Sequence, residues 1–366
     1  MSEATTNQPG GRAIRAEAPQ IRVGLIGYGL SGEVFHGPLV AAEPAMRLSM
    51  IVTSRTEAVA RSGSGARVAP SPEAVLADPE VDLVVIATPN EAHARLAEQA
   101  LDAGKHVVVE KPITVTAAEA DRLAALARRR GLCLAVFHSR RYDGDFLTVR
   151  ELCASNRLGR LYTFESHYDR FRPEPRARWK EQDVPGGGTL YDLGAHLIDQ
   201  ALTLFGMPDS VVADVGRQRP GAQATDYFHL VLRHGALRVI LRSGSVVSEP
   251  WPRFVLHGDQ GGYVKYGLDP QEEQLKAGVR PGDPGWGRED PARYGELTGG
   301  ERVPTLAGCY ERFYREVARS IAASGSAGGG GTASEPPGSA ESAADVIRVI
   351  EAALASEAEG RRILLR

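Results

Sequence analysis

The sequence predicts a two-domain α/β protein. A doubly wound parallel sheet occupies residues 21–140, and an α+β domain with a largely antiparallel sheet occupies 141–366. Three observations lead there. Up to residue 140, short and nearly continuous Val/Ile/Leu runs alternate with segments of helical period, as strands buried on both faces of a parallel sheet require. After residue 145 the strand-like runs become consecutive and are joined by short turns. The chain has 366 residues, 42% of them hydrophobic, which is enough for more than one core.

The elements follow in order. Ile21 to Ile26 is a strand that ends at glycines, and Arg47 to Val52 is a second. Val81 to Ala87, His106 to Val109 and Leu132 to Phe137 complete the parallel set. Asn90 stands where it could cap a helix that runs through Leu96 and Ala100 and stops at Gly104. Thr116 and Glu119 have capping-box spacing ahead of a helix that ends at Gly131. In the second half, helices are expected over Phe146 to Ala154 and Thr189 to Phe205. Strands are expected over Leu161 to Tyr168, Ser210 to Val215, Asp226 to Arg233, Ala236 to Arg242 and Arg253 to His257, with His234-Gly235 as a hairpin turn. Residues 278–300, rich in Gly and Pro, read as a long surface loop. Residues 324–339 read as a flexible linker between helices at Cys309 to Ala323 and Glu341 to Glu359. Residues 1–20 are polar and Ala/Gly-rich, lack the apolar stretch of a signal peptide, and read as a disordered tail.

Composition excludes several functions. A net charge of −3 gives no reason to expect nucleic acid or an anionic membrane as partner, and the apolar runs are only strand-length. Cys133, Cys153 and Cys309 form no CxxC pair, which argues against a disulfide framework or cysteine-built zinc site and for a reducing, cytoplasmic setting. His93, His138, His167 and His229 have no metal-ligand spacing, so no metal is expected, and no G-x-S-x-G elbow is present.

Gly27-Tyr28-Gly29-Leu30-Ser31-Gly32 is a G-x-G-x-x-G turn between a strand and a helix, the context in which backbone N–H groups receive a dinucleotide pyrophosphate. An acid about 20 residues further on would grip the ribose of NAD. Ser54 and Arg55 stand there instead, which favours NADP over NAD because they can bond and neutralise a 2′-phosphate. Glu110-Lys111-Pro112 puts a charged pair at the carboxyl end of a buried strand. Lys111 could stabilise alkoxide charge there, or the two could be a surface ion pair. Asp192 and His196 lie four apart on a predicted helix, with Asp199 continuing the stripe; the carboxylate could orient the imidazole as a base, or the pair could be an exposed helical one. Gly186-Gly187-Gly188 before that helix are expected to let a substrate approach.

Taken together, these motifs resemble the Gfo/Idh/MocA oxidoreductase family. They are the glycine loop, Ala87-Thr88-Pro89-Asn90 with His93, Ala103-Gly104-Lys105-His106, Glu110-Lys111-Pro112, and Asp192-x-x-x-His196. The resemblance implies a Rossmann domain followed by a large open, mostly antiparallel sheet, often used to build homodimers or homotetramers. It implies Lys111, Asp192 and His196 as the catalytic set, with Thr88, Asn90, His93, Glu110 and His138 around the nicotinamide and its ribose. Tyr28 with Phe35-His36-Gly37-Pro38-Leu39, Phe137-His138-Ser139-Arg140-Arg141 and the segment Glu165 to Pro173 are similar to the NADP-dependent scyllo-inositol dehydrogenase branch. On the substrate side, Tyr168, Arg172, Arg178 and Trp179 could offer hydrogen bonds and an apolar face to a cyclic polyol or sugar, although Arg178-Trp179 could equally be a structural plug. A non-catalytic NAD(P)-binding regulator and an oxidoreductase of another sugar or of an imine stay open as alternatives.

Overall fold

The computed structural model describes residues 20–325 and 336–365. Most of the 1–20 segment and of the 324–339 segment therefore lies outside the described residues. The end of the latter, from Pro336, does not behave as a linker: Gly338 accepts the Val136 N–H at 2.8 Å, and Ser339 caps the last helix.

The first sheet is wholly parallel. Its strands are β1 (Ile21–Ile26), β2 (Met46–Val52), β3 (Arg67–Ala69), β4 (Leu83–Ile86), β5 (His106–Val109) and β6 (Leu134–Val136), in the order β3-β2-β1-β4-β5-β6. The reversal of strand order falls between β1 and β4, so their carboxyl ends open a crevice, and ligands of open α/β sheets bind in such crevices. The crossover helices include α1 (Gly37–Ala41), α2 (Thr56–Ser62), α3 (Pro72–Ala77), α4 (His93–Asp102) and α5 (Ala117–Arg130). Thr116 forms the expected capping box with Glu119, and Gly131 takes the left-handed conformation that ends α5. Asn90 does not cap α4: it opens a short 3₁₀ turn, and its side chain is used elsewhere.

The second sheet is mixed. It comprises β7 (Leu161–His167), β8 (Ser210–Gly216), β9 (Tyr227–His234), β10 (Leu237–Gly244), β11 (Pro252–Gly258), β12 (Gly261–Tyr266), β13 (Gly295–Leu297), β14 (Arg302–Val303) and β15 (Ile363–Leu364). Its order is β14-β13-β12-β11-β7-β10-β9-β8-β15, antiparallel throughout except for the β7/β10 pair. The helices α6 (Gly144–Ala154), α7 (Ala195–Phe205), α8 (Gln271–Lys276), α9 (Glu311–Gly325) and α10 (Ala340–Glu359) complete the fold. The 278–300 stretch is more than a surface loop, because it contains β13 and buries Trp286.

One core runs through both sheets. Residues of α4 and α5 cover one face of the parallel sheet, and α10 joins them to α7 and the inward residues Phe228, Leu230 and Leu232 of β9. The opposite face of the parallel sheet is covered by α1, α2 and, from far along the chain, Phe313, Tyr314 and Val317 of α9. The outward face of the second sheet carries a row that crosses the strands in register: Val212, Val231, Ile240, Glu165, Val255 and Val264. No described helix is long and apolar enough to cross a membrane.

Candidate active site

The three loop glycines are used differently. Gly27 has φ of 100°, and a Cβ there would stand 2.4 Å from the Ala87 carbonyl oxygen at the end of β4. A Cβ on Gly32 would stand 2.3 Å from the Gly27 carbonyl oxygen. Gly29 has open space in the same position. The first and third glycines thus let the chain fold against itself, and the second leaves a bare backbone surface that a pyrophosphate can approach. The chain then winds as a π-helical turn over Ser31–His36 before α1. Turns of this kind recur at functional sites. The loop fits a dinucleotide. The Tyr28 ring is buried against the helix, so this residue offers the loop only its backbone.

Ser54 and Arg55 are exposed at the tip of β2. Arg55 folds back over the loop, where Nη1 donates to the Tyr28 carbonyl oxygen at 2.9 Å and to Glu33 Oε2 at 2.6 Å. The guanidinium therefore flanks the glycine turn with an acidic neighbour already on it.

Glu110 ties the loop to the carboxyl end of β5. It accepts the Ser31 hydroxyl and lies 3.1 Å from Nε2 of His36, whose Nδ1 is 2.6 Å from the Tyr314 hydroxyl. Burial opposes ionisation of Glu110. The His36 imidazole, the Ser31 hydroxyl and the Lys111 ammonium outweigh it and hold the carboxyl down at about 2. His93 is fully buried, with Nδ1 2.8 Å from the Pro112 carbonyl oxygen and Nε2 2.9 Å from that of Thr88. It braces the two loops that carry Thr88 and Lys111. Among the described residues the buried Thr88 hydroxyl has no partner, and Asn90 Nδ2 donates to the Gly186 carbonyl oxygen at 2.9 Å.

Lys111 is the centre of the site. Its ammonium, nine-tenths buried, donates to the backbone oxygen of Asp192 at 2.5 Å and to its carboxylate at 3.0 Å. The same carboxylate oxygen accepts Lys180 at 2.6 Å. Burial would neutralise Asp192, but the two lysines hold it ionised, well below the usual carboxylate range. Burial also lowers Lys111, against the pull of Asp192.

Asp192 therefore does not orient His196 through a hydrogen bond. The helix is not uniformly α: Leu190–Gly194 is π-helical and only Ala195–Phe205 is α, so the simple i, i+4 face does not form. His196 is buried, and its Nδ1 has no hydrogen-bond partner among the described residues. Burial and the nearby Lys111, Arg140 and His138 push its pKa well below the imidazole range, against Asp192. Asp199 lies elsewhere too, 3.7 Å from His138 and bonded to Arg141 at 2.5 and 2.8 Å. Burial lowers His138 to about 4 despite that carboxylate.

The glycines before this helix serve the chain rather than a substrate. A Cβ on Gly188 would stand 2.3 Å from the Thr225 hydroxyl, and one on Gly187 would stand 2.6 Å from the Gln182 carbonyl oxygen. Tyr168 is buried, and its hydroxyl accepts from Arg140 Nη2 at 3.1 Å. Trp179 is half-buried with the Lys180 ammonium 5.6 Å from its ring centre, and the exposed Arg178 lies 3.7 Å from Glu181. The fold thus gathers Lys111, Asp192, His196 and Trp179 through Lys180, and turns the Tyr168 hydroxyl into the protein.

Sequence reasoning missed Lys180 and Arg140. Lys180 sits in an irregular segment with no periodicity to read, and the return of the chain from the end of β7 toward Leu190 brings it to Asp192. Arg140 is buried, with Tyr310, Tyr168 and Glu272 as partners. Two of those partners are more than 130 residues away in sequence.

Comparison with known proteins gives concordant findings. Residues 21–138 match the family model described as "Oxidoreductase family, NAD-binding Rossmann fold", and residues 150–365 match "Oxidoreductase family, C-terminal alpha/beta domain". The chain is 43% identical to scyllo-inositol 2-dehydrogenase (NADP(+)) of Bacillus subtilis (strain 168), covering 96% of this chain and 98% of that one. It is 46% identical to the uncharacterized oxidoreductase YdgJ of Escherichia coli (strain K12), over 92% and 96% of the two chains. Among solved structures, a Bacillus subtilis protein described as an oxidoreductase superimposes with a TM-score of 0.89 at 43% identity, covering 96% of this chain and all of that one. A Yersinia pestis protein described likewise gives 0.87 at 41%, over 95% and 98%.

Proposed function

The chain belongs to the Gfo/Idh/MocA oxidoreductase family, and from that premise we propose that it is an NADP-dependent dehydrogenase. Its reaction moves a hydride between the nicotinamide and a CH–OH group of an inositol-like cyclic polyol or sugar. The observation that carries this reading is the joining of the glycine loop to a buried, doubly anchored lysine: Ser31 bonds Glu110, and the next residue, Lys111, meets Asp192.

The nicotinamide, when bound, supplies the hydride acceptor or donor. The residues supply the rest. Gly27, Gly29 and Gly32 cradle the pyrophosphate, and Ser54 with Arg55 favours a 2′-phosphate. Lys111 stabilises negative charge that develops on the substrate oxygen. Asp192 holds Lys111 in place. His196, unprotonated at neutral pH, takes the hydroxyl proton in oxidation and returns it in reduction. Thr88, Asn90 and His138 line the nicotinamide end, and Trp179 offers an apolar wall to the ring. The similarity to a scyllo-inositol dehydrogenase supports the polyol class. The row across the outward face of the second sheet, apolar except for Glu165, supports a homodimer or homotetramer built through that sheet.

The test is NADPH absorbance with a panel of inositols, inososes and aldoses, using NAD in parallel. The reading expects turnover of at least one cyclic polyol, faster with NADP. Silence across the panel would move the weight to a non-catalytic NADP-binding regulator.

A further inference from the structure

We propose that the cleft bordered by Asp192 and Lys180 is a subsite for an anionic group, a carboxylate or a phosphate, carried by the substrate. The inference rests on the dehydrogenase reading above, which supplies the rest of that substrate; the subsite adds that an acidic derivative binds more tightly than its neutral counterpart.

Five cations line the cleft: Arg170, Arg172, Arg178, Lys180 and Arg219. Two carboxylates face them, Glu181 and Asp192, and both are already engaged. Asp192 is held by Lys111 and Lys180. Glu181 takes Arg219 at 3.0 Å, lies 3.7 Å from Arg178, and accepts the Arg176 N–H at 2.9 Å. Arg219 is saturated: it also bonds Asp226 at 2.8 Å and the backbone oxygens of Arg172 and Glu174, so its work is to hold the loop.

Arg170 and Arg172 remain. Both are half-buried, and among the described residues neither guanidinium has a carboxylate at ion-pair distance. Arg170 lies over the Tyr168 ring, 5.3 Å from its centre. Burial and the neighbouring Arg170, Arg176 and Arg178 lower the pKa of Arg172, outweighing the opposite pull of Glu181, a carboxylate already shared with Arg219 and Arg178. Such crowding is costly unless an anion arrives. Guanidinium forks match the planar oxygens of a carboxylate or phosphate in bidentate fashion. A neutral polyol would use these donors but leave the excess charge in place. Because Asp192 and Lys180 are shared with the Lys111 cluster, an anion held here sits on the molecule whose hydroxyl reaches Lys111 and His196.

The experiment uses two matched pairs, glucose against glucuronate and myo-inositol against myo-inositol 1-phosphate. Calorimetry measures binding to the NADPH-loaded full chain at low and high salt, and kcat/KM is measured for any compound that turns over. The subsite expects the charged member of at least one pair to bind at least ~10-fold tighter at low salt, with the margin shrinking at high salt as screening dictates. The pair that responds tells carboxylate from phosphate. In the double variant Arg170→Gln, Arg172→Gln the margin falls to about 1, with folding checked by thermal melting. The wild-type salt dependence keeps the test decisive should that variant not fold. Equal binding within both pairs overturns the subsite. Selective anion binding with no NADPH change on any substrate overturns the dehydrogenase reading and leaves the subsite standing.

Discussion

Glu33→Gln should make the protein bind NADP more tightly. In the structure Glu33 occupies Arg55 at 2.6 Å, and a 2′-phosphate must share or displace it. The two side chains are 36% and 48% exposed, so their pair is worth only about 0.2–1 kcal/mol after solvent screening. Removing it should lower the NADP dissociation constant about 1.4–5-fold. Arg55→Ala has the opposite sign. A charge-assisted hydrogen bond contributes about 1.5–3 kcal/mol, and half-exposure brings that to roughly 1–1.5, a loss of about 10-fold in NADP affinity. NAD has no 2′-phosphate and should respond to neither. The assay is fluorescence titration with NADPH and NADH on the wild type and both variants, read as the ratio of the two affinities, which cancels general effects on the fold. A ratio that neither variant moves would refute the placement of the 2′-phosphate at Arg55.

Four further outcomes follow from the geometry. Gly32→Ala puts a Cβ 2.3 Å from the Gly27 carbonyl oxygen, so the loop must shift; about 1–3 kcal/mol of stability and most dinucleotide affinity should be lost, measurable by melting and titration. Asp192→Asn removes the carboxylate that the buried Lys111 shares with Lys180, and kcat should fall about 10²-fold with NADPH affinity nearly kept, as steady-state kinetics would show. The oxidation rate should hold as pH drops through 6.5, because His196 stays unprotonated well below the usual imidazole range; an acid limb near 6.5 would contradict this. Between pH 6.5 and about 4 an unfolded histidine binds a proton that folded His138 refuses, so stability falls with falling pH there; denaturation of His138→Gln should show a pH dependence flatter by up to about 3 kcal/mol.

Much of this was legible in the sequence because the relevant signals are local. β1, the glycine turn and the Thr116–Glu119 box each depend on residues a few positions apart, and each stands where periodicity and turn chemistry put it; the hairpin forms too, but its turn is Gly235-Ala236, one residue later than expected, because His234 still pairs with Leu237. Lys111 and Asp192 were readable as a pair of motifs, and the fold brings them to 3.0 Å. The failures share a cause, which is that groups outside each short motif, near or far along the chain, decide what its side chains do. The i, i+4 spacing suggested that Asp192 serves His196, yet two lysines compete for that carboxylate and a π-helical turn breaks the assumed face. Gly186 to Gly188 looked like room for a substrate and proved to be filled by Asn90, Val115, Gln182 and Thr225. Tyr168 looked like a substrate donor, but buried Arg140 claims its hydroxyl. The α9 helix closes a face of the first sheet from nearly 300 residues away, which no local pattern announces.

The most direct test of the central claim, that Lys111 and His196 act on a polyol hydroxyl beside an NADP held by the glycine loop, is a paired measurement on His196→Ala and Lys111→Ala. NADPH affinity is titrated, and kcat is measured on the best polyol of the panel. The account predicts affinity within a few-fold of wild type and kcat lower by about 10²–10⁴ in both variants. Near-normal kcat in either, with the cofactor still bound, would contradict it.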